Sequence, residues 1–273
     1  MFNCSDAIFI APLIMQYLDI SYRDDIVEVC GDIHGEFETL VFNIVQKKIE
    51  NATVIVAGDC GFGFNKLAYY DELYKKKLHR KLKKQNVLLL MVRGNHDDPL
   101  FFDKELIDYP YMKTLPDYTI VHTRKHNILC VGGAISIDRS FRLSQMDYNR
   151  ILSKQRLPLY WEDEMFRYDE GLLRILNDEG IKVDTVITHS APDFCPPLTK
   201  RDVEHFCAND DDLTSDLDKE RKDLTRLYKW LVGNEHPLTN WFYGHFHTSA
   251  EIYDETMKIR FCVLHINELS RLK

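Results

Sequence analysis

The chain has 273 residues, of which 45% are hydrophobic, and it carries a formal net charge of −8 at pH 7. This apolar content is typical of a soluble globular protein with a sizeable core. The acidic balance disfavours non-specific nucleic-acid binding, which depends on basic surface, and leaves open only a local basic patch.

The first 24 residues contain an apolar run that resembles a signal peptide only in part. No basic residue precedes the run, which follows Asp6 and is interrupted by Pro12. It is also too short to span a bilayer. We therefore expect residues 1–20 to form a packed extension, and we expect a cytoplasmic protein without membrane association.

The seven cysteines indicate the same kind of compartment. Their number is odd and the sequence has no CxxC, so neither a disulfide framework nor a cysteine zinc site is expected. Cys30, Cys130 and Cys262 lie inside apolar, strand-like runs, where a thiol acts as a small hydrophobic side chain. This pattern favours a reducing compartment.

Predicted strands and helices alternate along the chain. Short runs rich in Val, Ile and Leu predict strands covered on both faces, over residues 26–30, 53–57, 87–92, 128–131, 183–188 and 241–243. Helical spacing of apolar residues predicts helices over 36–48, 67–82, 163–176 and 216–231. Alternation within 251–265 predicts an antiparallel hairpin. We expect a layered α/β fold and a single domain over residues 1–273.

Two charged segments allow alternative interpretations. Residues 193–222 are polar and contain proline, and they predict a surface excursion that runs into a helix N-terminus. Within it, Asp210, Asp211 and Asp212 suit a solvated acidic loop that stabilises the helix dipole better than a metal site. The basic residues 75–84 are more typical of a solvated helix face than of a nucleic-acid contact.

Five short polar stretches stand out, and most of them directly follow an apolar run. In α/β sheets, sites assemble at the carboxyl ends of strands. The side chains are oxygen and imidazole donors without thiolate, a set that suits Mn²⁺, Fe, Zn²⁺, Co²⁺ or Ni²⁺ better than a structural zinc. The stretches are Gly31–Gly35 (GDIHG), Gly58–Asp59 (GD), Gly94–Asp97 (GNHD), Thr188–Ser190 (THS) and Gly244–His247 (GHFH).

Donors two residues apart are expected to act in pairs. Asp32 and His34 form one such pair, and His245 and His247 form another. In extended backbone such pairs point to the same side, and the apolar residue between them points into packing. A single Asp or His after a strand is most often a turn or cap residue. Five such stretches in order are hard to explain in that way.

The five stretches resemble the GDxHG, GD, GNHD, TH and GHxH motifs of the calcineurin-like metallophosphoesterase superfamily. They extend from Gly31 to His247 and so span most of the chain. As a set they are specific for the superfamily, but they say little about the substrate. The resemblance implies a four-layer α/β fold, in which two mixed β-sheets pack as a sandwich and are flanked by helices.

The resemblance also implies two divalent transition metal ions, with Mn²⁺ the first candidate. One metal is expected at Asp32, His34, Asp59 and His247, and the second at Asp59, Asn95, His189 and His245, so that Asp59 bridges both. His96 is expected beside the metals as the catalytic residue that protonates the leaving oxygen or stabilises charge near it. Two metals about 3.5–4 Å apart can hold a bridging hydroxide. We therefore expect hydroxide attack on a phosphate mono- or diester of a small molecule.

Two departures bear on the alternatives. The protein Ser/Thr phosphatase branch carries an Asp-Arg pair after its second motif and ends its third motif in Glu. In this chain Cys60 follows the second motif and Asp97 ends the third. A protein phosphatase or nuclease of the same superfamily stays an alternative, as does a non-catalytic scaffold with this fold. Asp97 or Asp98 is a candidate carboxylate partner for His96.

The stretch Gly132–Arg142 (GGAISIDRSFR) resembles a block found in some bacterial and phage members of the superfamily. Arg139 and Arg142 are candidates to bind the substrate phosphate bidentately. A structural ion pair between Arg139 and a nearby acid is an equal alternative. For Arg93, phosphate contact and a salt bridge at a strand end are both open.

Overall fold

The computed structural model describes residues 14–23, 26–152, 158–198 and 203–273. Within these ranges the backbone forms thirteen strands. They are β1 (Gln16–Asp19), β2 (Ile26–Cys30), β3 (Ala52–Val56), β4 (Val87–Met91), β5 (Asp108–Tyr109), β6 (Met112–Thr114), β7 (Thr119–His122), β8 (Asn127–Val131), β9 (Thr185–Thr188), β10 (Asn240–Tyr243), β11 (Ala250–Asp254), β12 (Ile259–Val263) and β13 (Leu269–Arg271).

The same described residues form eight α-helices. They are α1 (Phe37–Gln46), α2 (Leu67–Leu73), α3 (His79–Gln85), α4 (Pro99–Asp103), α5 (Arg139–Ile151), α6 (Glu170–Asp178), α7 (Glu204–Cys207) and α8 (Leu213–Gly233). A π-helical turn, Tyr74–Leu78, joins α2 to α3. The sequence predicted this region as one regular helix over residues 67–82.

The strands assemble into two mixed sheets. One sheet has the order β1-β7-β8-β9-β10-β12-β11, and the other has the order β13-β2-β3-β4-β6-β5. The centres of both sheets are parallel: β8, β9, β10 and β12 in the first, and β2, β3, β4 and β6 in the second. Strands β11, β13 and β5 pair antiparallel at the edges, and β11 with β12 confirms the predicted hairpin.

Three apolar clusters define four layers. In β4, Leu89 and Met91 pack against the helices α1, α2 and α3, while Leu88 and Leu90 pack between the two sheets. The outer face of the seven-stranded sheet packs against α6 and α8. Both faces of the central strands are thus buried, as their near-continuous apolar sequences predicted. The four-layer α/β sandwich expected from the sequence is confirmed.

Several predicted boundaries were wrong for local reasons. The helix predicted from residue 163 begins at Glu170, because the Asp169 side chain accepts the Leu172 N–H and caps it there. The predicted helix over residues 216–231 begins earlier, at Leu213. The sequence did not predict the short strands β1, β5, β6, β7 and β13 or the helices α4, α5 and α7. In α5 the buried residue is Asn149 alone.

The N-terminal prediction is corrected in part. Residues 1–13 of the predicted extension lie outside the described residues. Residues Gln16–Asp19 form an edge strand that pairs parallel with β7, so this part is a strand of the sheet rather than an added extension.

The three cysteines predicted inside strand-like runs are buried in β2, β8 and β12. Cys30, Cys130 and Cys262 are buried free thiols, and Cys4 lies outside the described residues.

Among the described residues, we find no helix with the length and apolar composition that crossing a membrane requires.

Candidate metal centre

The predicted metal ligands follow the carboxyl ends of central strands. Cys30, Val56 and Met91 are paired across β2, β3 and β4, so these three strands end level with one another. The loops after β2, β3, β4, β9 and β10 converge at this edge. They carry Asp32, His34, Asp59, Asn95, His189, His245 and His247.

Four of these residues have left-handed backbone conformations. The φ angles are 44° at His34, 49° at Asp59, 67° at His245 and 47° at His247. A positive φ is uncommon outside glycine, and such strain concentrates at functional sites. The sequence-based reason for pairing Asp32 with His34, extended backbone, is therefore wrong. Sharp turns after the strands bring the donors together instead.

Asp32, His34, Asp59 and His247 form one cluster of donors. One atom from each lies within 4.8 Å of the corresponding atoms of the other three. The Nε2 atoms of His34 and His247 are 2.9 Å apart. Both carboxylates are buried, whereas His247 is exposed, so the cluster opens to solvent on one side.

The Asp32 carboxylate is only half satisfied. Its Oδ1 accepts the backbone N–H of His245 at 2.9 Å. Its Oδ2 is buried and makes no hydrogen bond of good geometry to any described residue, although His247 Nε2 lies 3.1 Å away. Leaving such a group unsatisfied costs about 1–3 kcal/mol, and more when it is charged. A bound cation would remove this cost, and two carboxylates with two imidazoles suit a divalent transition metal.

A second group of donors surrounds the buried His189. Its Nδ1 lies 2.7 Å from the carbonyl oxygen of Ala57, so the neutral ring carries its lone pair on Nε2. This Nε2 lies 3.1 Å from Asp59 Oδ1 and 3.0 Å from Asn95 Oδ1. Three acceptors therefore face one another, which requires a proton or a cation between them. Burial opposes the charge, but Asp59 raises the pKa of His189 to about 10, and a metal would replace that proton.

His245 completes the second group. Its ring centroid lies 5.0 Å from that of His189, and burial together with His189 lowers its pKa, which keeps the lone pair free. Gly244 lets the loop that carries His245 pass close to the Asp32 carboxylate, since a Cβ there would lie 2.1 Å from Asp32 Oδ1. The seven predicted ligands thus lie in two adjoining groups that share Asp59.

His96 lies beside both groups and contacts an arginine. Its backbone N–H donates to Asp59 Oδ1 at 2.8 Å, and its ring centroid is 5.4 Å from that of His34. Arg142 Nη2 is 2.9 Å from Nε2 and 3.1 Å from Nδ1 of His96. Arginine only donates, so the ring nitrogen that accepts this bond is unprotonated. Burial also lowers the pKa of His96.

Arg142 is held in place by two further contacts. Its Nε donates to Asp138 Oδ1 at 2.7 Å, and its Nη1 donates to the carbonyl oxygen of Leu159 at 3.0 Å. The other candidate, Arg139, donates to Asp210 at 2.7 and 3.0 Å and pairs with Asp216 at 2.8 Å. These contacts favour the structural alternative for Arg139.

Arg93 is also engaged in structure. It is 2% exposed and donates to Asp117 at 2.8 Å and to the carbonyl oxygens of Asp163, Glu164 and Met165. The strand-end salt bridge is therefore the interpretation that the structure supports for Arg93.

Asp97 and Asp98 do not serve His96 in the described residues. The buried Asp97 carboxylate accepts four backbone N–H groups, from Cys60, Gly61, Phe62 and Gly94, at 2.7–3.0 Å. Asp98 caps α4 by accepting the Leu100 N–H at 3.0 Å. Asp97 thus ties the loop after β3 to the loop after β4, a role that its position next to His96 did not suggest.

Two further residues near the site escaped the sequence analysis. Ser136 Oγ accepts a hydrogen bond from Asn95 Nδ2 at 2.9 Å, and Ser136 in turn donates to Glu164. Ser136 lies inside the Gly132–Arg142 block, which drew attention for its glycines and arginines. Glu164 lies in an acidic stretch, Trp161–Glu164 (WEDE), whose composition resembles that of a solvated loop.

These features define a layered α/β protein with clustered metal-type donors at the carboxyl edge of its parallel strands. The chain belongs to the calcineurin-like phosphoesterase family, whose model matches residues 27–249. The protein is accordingly a hydrolase that acts on phosphate ester bonds, with a possible metal site at Asp32, His34, Asp59 and His247. The sequence-based assignment to this superfamily is confirmed.

Distant structural similarity accompanies this assignment. The GAP50 anchor of the Plasmodium inner membrane complex is 15% identical, with 89% of this chain and 72% of that chain covered and a TM-score of 0.44. A phosphopantetheinyl hydrolase from Mycobacterium tuberculosis is 14% identical, with 89% and 90% covered and a TM-score of 0.40. A dimetal phosphatase from Danio rerio is 13% identical, with 93% and 87% covered and a TM-score of 0.42. No curated protein matches the sequence.

Proposed function

We propose that the protein is a binuclear metal-dependent phosphoesterase that hydrolyses a phosphate mono- or diester of a small molecule. The observation that carries this proposal is the shared Asp59. One of its oxygens faces His189 at 3.1 Å, while the other lies 3.8 Å from His34 Nδ1. A carboxylate between two groups of lone-pair donors is the arrangement that a bridging ligand requires.

Each metal is assigned four protein ligands. Asp32, His34, Asp59 and His247 would hold the first, and Asp59, Asn95, His189 and His245 the second. When bound, the two ions supply the Lewis acidity that activates water and neutralises charge on phosphoryl oxygens. Mn²⁺ is the proposed metal because the set is rich in oxygen and imidazole donors and has no thiolate.

His96 and Arg142 are proposed to act on the phosphate ester itself. Arg142 fixes the His96 ring, so the imidazole can donate its one remaining N–H toward the leaving oxygen. The Arg142 guanidinium adds positive charge on the same side of the site. Because Arg142 limits rotation of the His96 ring, this ring can stabilise a developing alkoxide better than a freely rotating one could.

Three broader features belong to the same proposal. The apolar cluster shared between the two sheets supports one domain over residues 1–273. The free thiols among the described cysteines support a reducing, cytoplasmic setting. The net charge of −8 supports a small-molecule substrate over nucleic acid.

Hydrolysis assays on metal-stripped protein test the proposal. Aryl phosphate monoesters and diesters would be offered with Mn²⁺, with Zn²⁺ and with buffer alone, beside a phosphopeptide and a single-stranded DNA. We expect turnover of a small ester to return with Mn²⁺ and to be lost in Asn95→Ala and in His96→Ala. A substitution remote from the site, Lys76→Ala on an exposed helix face, is the control. Turnover that survives in Asn95→Ala, or activity on the phosphopeptide or DNA alone, would contradict the proposal.

A further inference from the structure

A chain of hydrogen bonds leads from Asn95 to two buried residues outside the metal-ligand motifs, first Ser136 and then Glu164. Asn95 Nδ2 donates to Ser136 Oγ at 2.9 Å. The Ser136 hydroxyl donates to Glu164 Oε2 at 2.6 Å, and the Ser136 backbone N–H donates to Glu164 Oε1 at 2.5 Å. Both Ser136 and Glu164 are 1% exposed. Burying a glutamate this deeply costs free energy. Because both of its oxygens accept from one serine, a role for that serine would explain why the cost is tolerated.

The backbone around Ser136 and Glu164 is held by hydrogen bonds to Arg93, which lies between the end of β4 and Asn95. Arg93 donates to the carbonyl oxygen of Glu164 at 2.7 Å, and its own carbonyl accepts the Gly133 N–H at 2.8 Å. Gly133 has φ 96°, and a Cβ there would lie 2.6 Å from the carbonyl oxygen of Met165. The two segments that carry Ser136 and Glu164 are therefore both tied to the residue two positions before Asn95.

We propose that Ser136 and Glu164 are positioning residues that fix the Asn95 amide with its Oδ1 toward His189 Nε2. An asparagine amide offers a donor on one side and an acceptor on the other, and only the oxygen can bind a metal. A rotation of the amide by a half turn would present Nδ2 to the second metal position. The hydrogen bond to Ser136 Oγ opposes that rotation. This inference rests on the binuclear function proposed above.

The orientation holds in either protonation state of Glu164. Burial raises the pKa of Glu164 to about 8, against the hydrogen bonds from Ser136 that lower it. A hydroxyl oxygen has two lone pairs, so Ser136 Oγ can accept from Asn95 Nδ2 whether it donates to Glu164 or accepts from it. Glu164→Gln should therefore keep the orientation, whereas Glu164→Ala and Ser136→Ala should release it.

Metal binding tests the inference without relying on turnover. Metal-stripped protein would be titrated with Mn²⁺ by calorimetry, as wild type and as Ser136→Ala, Glu164→Ala and Glu164→Gln. Loss of residues that orient a metal ligand typically weakens affinity about 10–100-fold. We expect that loss for one of two binding events in both alanine variants, and a change of less than about threefold in Glu164→Gln.

Thr114→Val is the matched control. Thr114 is also a buried hydroxyl, 2% exposed, and it donates to the Phe101 carbonyl oxygen at 2.8 Å, away from the site. Its loss should leave both Mn²⁺ affinities unchanged. A general loss of packing would instead weaken binding in Thr114→Val and Ser136→Ala alike, and that result would overturn the inference.

The outcomes separate this inference from the proposed function. Two wild-type events, one of them weakened in Ser136→Ala, support both. Two wild-type events that are unchanged in Ser136→Ala overturn the positioning role alone. A single wild-type event that Ser136→Ala weakens supports the positioning role and contradicts two metals. A single event that does not respond overturns both.

Discussion

Removal of the Asp97 carboxylate should destabilise the protein far more than removal of the carboxylate of the next residue, Asp98. Asp97 Oδ1 accepts the N–H groups of Gly61 and Phe62 at 2.7 and 2.9 Å, and Oδ2 accepts those of Cys60 and Gly94 at 3.0 and 2.8 Å. Each buried donor left without a partner costs about 1–3 kcal/mol. Taking the lower end, because the loops can relax, Asp97→Ala should cost about 4 kcal/mol.

Two further variants grade the effect. In Asp97→Asn the amide oxygen can keep one pair of N–H groups, but the NH₂ faces the other pair, so about 2 kcal/mol is expected. Asp98→Ala loses a single helix cap to Leu100, worth about 1 kcal/mol. For a chain of this size, 1 kcal/mol shifts Tm by roughly 2 °C, so the three variants should lose about 8, 4 and 2 °C.

Urea and thermal unfolding at pH 7.5 with excess chelator would measure the series. Burial and the nearby Asp59 raise the pKa of Asp97 to about 6, so its carboxylate is ionised at that pH. The chelator prevents altered metal binding from contributing to the difference. If Asp97→Ala were no more destabilising than Asp98→Ala, or if Asp97→Asn cost as much as Asp97→Ala, the count of backbone donors would be the wrong explanation.

Three other predictions follow from the site. Chelation should lower the Tm of the native protein, since ions held at 100 times their Kd contribute about 2.7 kcal/mol each; a Tm that is independent of Mn²⁺ in calorimetry would contradict a metal centre. Arg142→Gln should reduce kcat about 100-fold through loss of the His96 contact. Arg139→Gln, whose partners are Asp210 and Asp216, should lower Tm with KM changed less than threefold, and a larger rise in KM would restore a phosphate role for Arg139. The pKa of Glu164 is raised to about 8 from an ordinary 4.5, so its contribution to stability is complete below pH 4.5 and is lost as pH rises to 8. Urea unfolding of the apoprotein at pH 5, 6 and 7 would give the slope of the free energy of unfolding against pH. This slope should differ between the native protein and Glu164→Gln by up to about 1.4 kcal/mol per pH unit, and identical slopes would refute the raised pKa.

The predicted donors were visible in the sequence because most of them follow a near-continuous apolar run. Such a run implies a strand buried on both faces, and parallel strands end at one edge. The strand ends therefore marked the edge of the sheet where a site would form, and the family resemblance assigned Asp32 after β2 and Asp59 after β3 to one metal. Ile33 is buried in the helix-facing cluster as predicted, although the extended backbone on which that prediction rested ends at His34, which has φ 44°.

The roles of the residues that support the site could not be predicted from the sequence, because they depend on tertiary contacts. Glu164 lies in a stretch whose composition is that of a solvated loop, and its burial depends on Arg93, 71 residues earlier. Arg142 was a candidate for phosphate binding, but its contact with His96 was not foreseen because it comes from α5, a helix without a buried apolar stripe. Side chains that act through tertiary contacts carry no local periodicity, so composition alone assigns them to the surface.

The strained features of the site have one common physical origin. Four donor residues adopt left-handed backbone at a cost of order 1 kcal/mol each, and none of them is glycine. Asp32 Oδ2 is buried without a good hydrogen bond, and the Nε2 atoms of His34 and His247 approach within 2.9 Å. Each feature opposes folding on its own, and the free energy of binding a cation among the donors would compensate these costs. The features that oppose folding therefore concentrate where metal binding would compensate them. This is the pattern expected when a protein loses some folding stability in order to form a functional site.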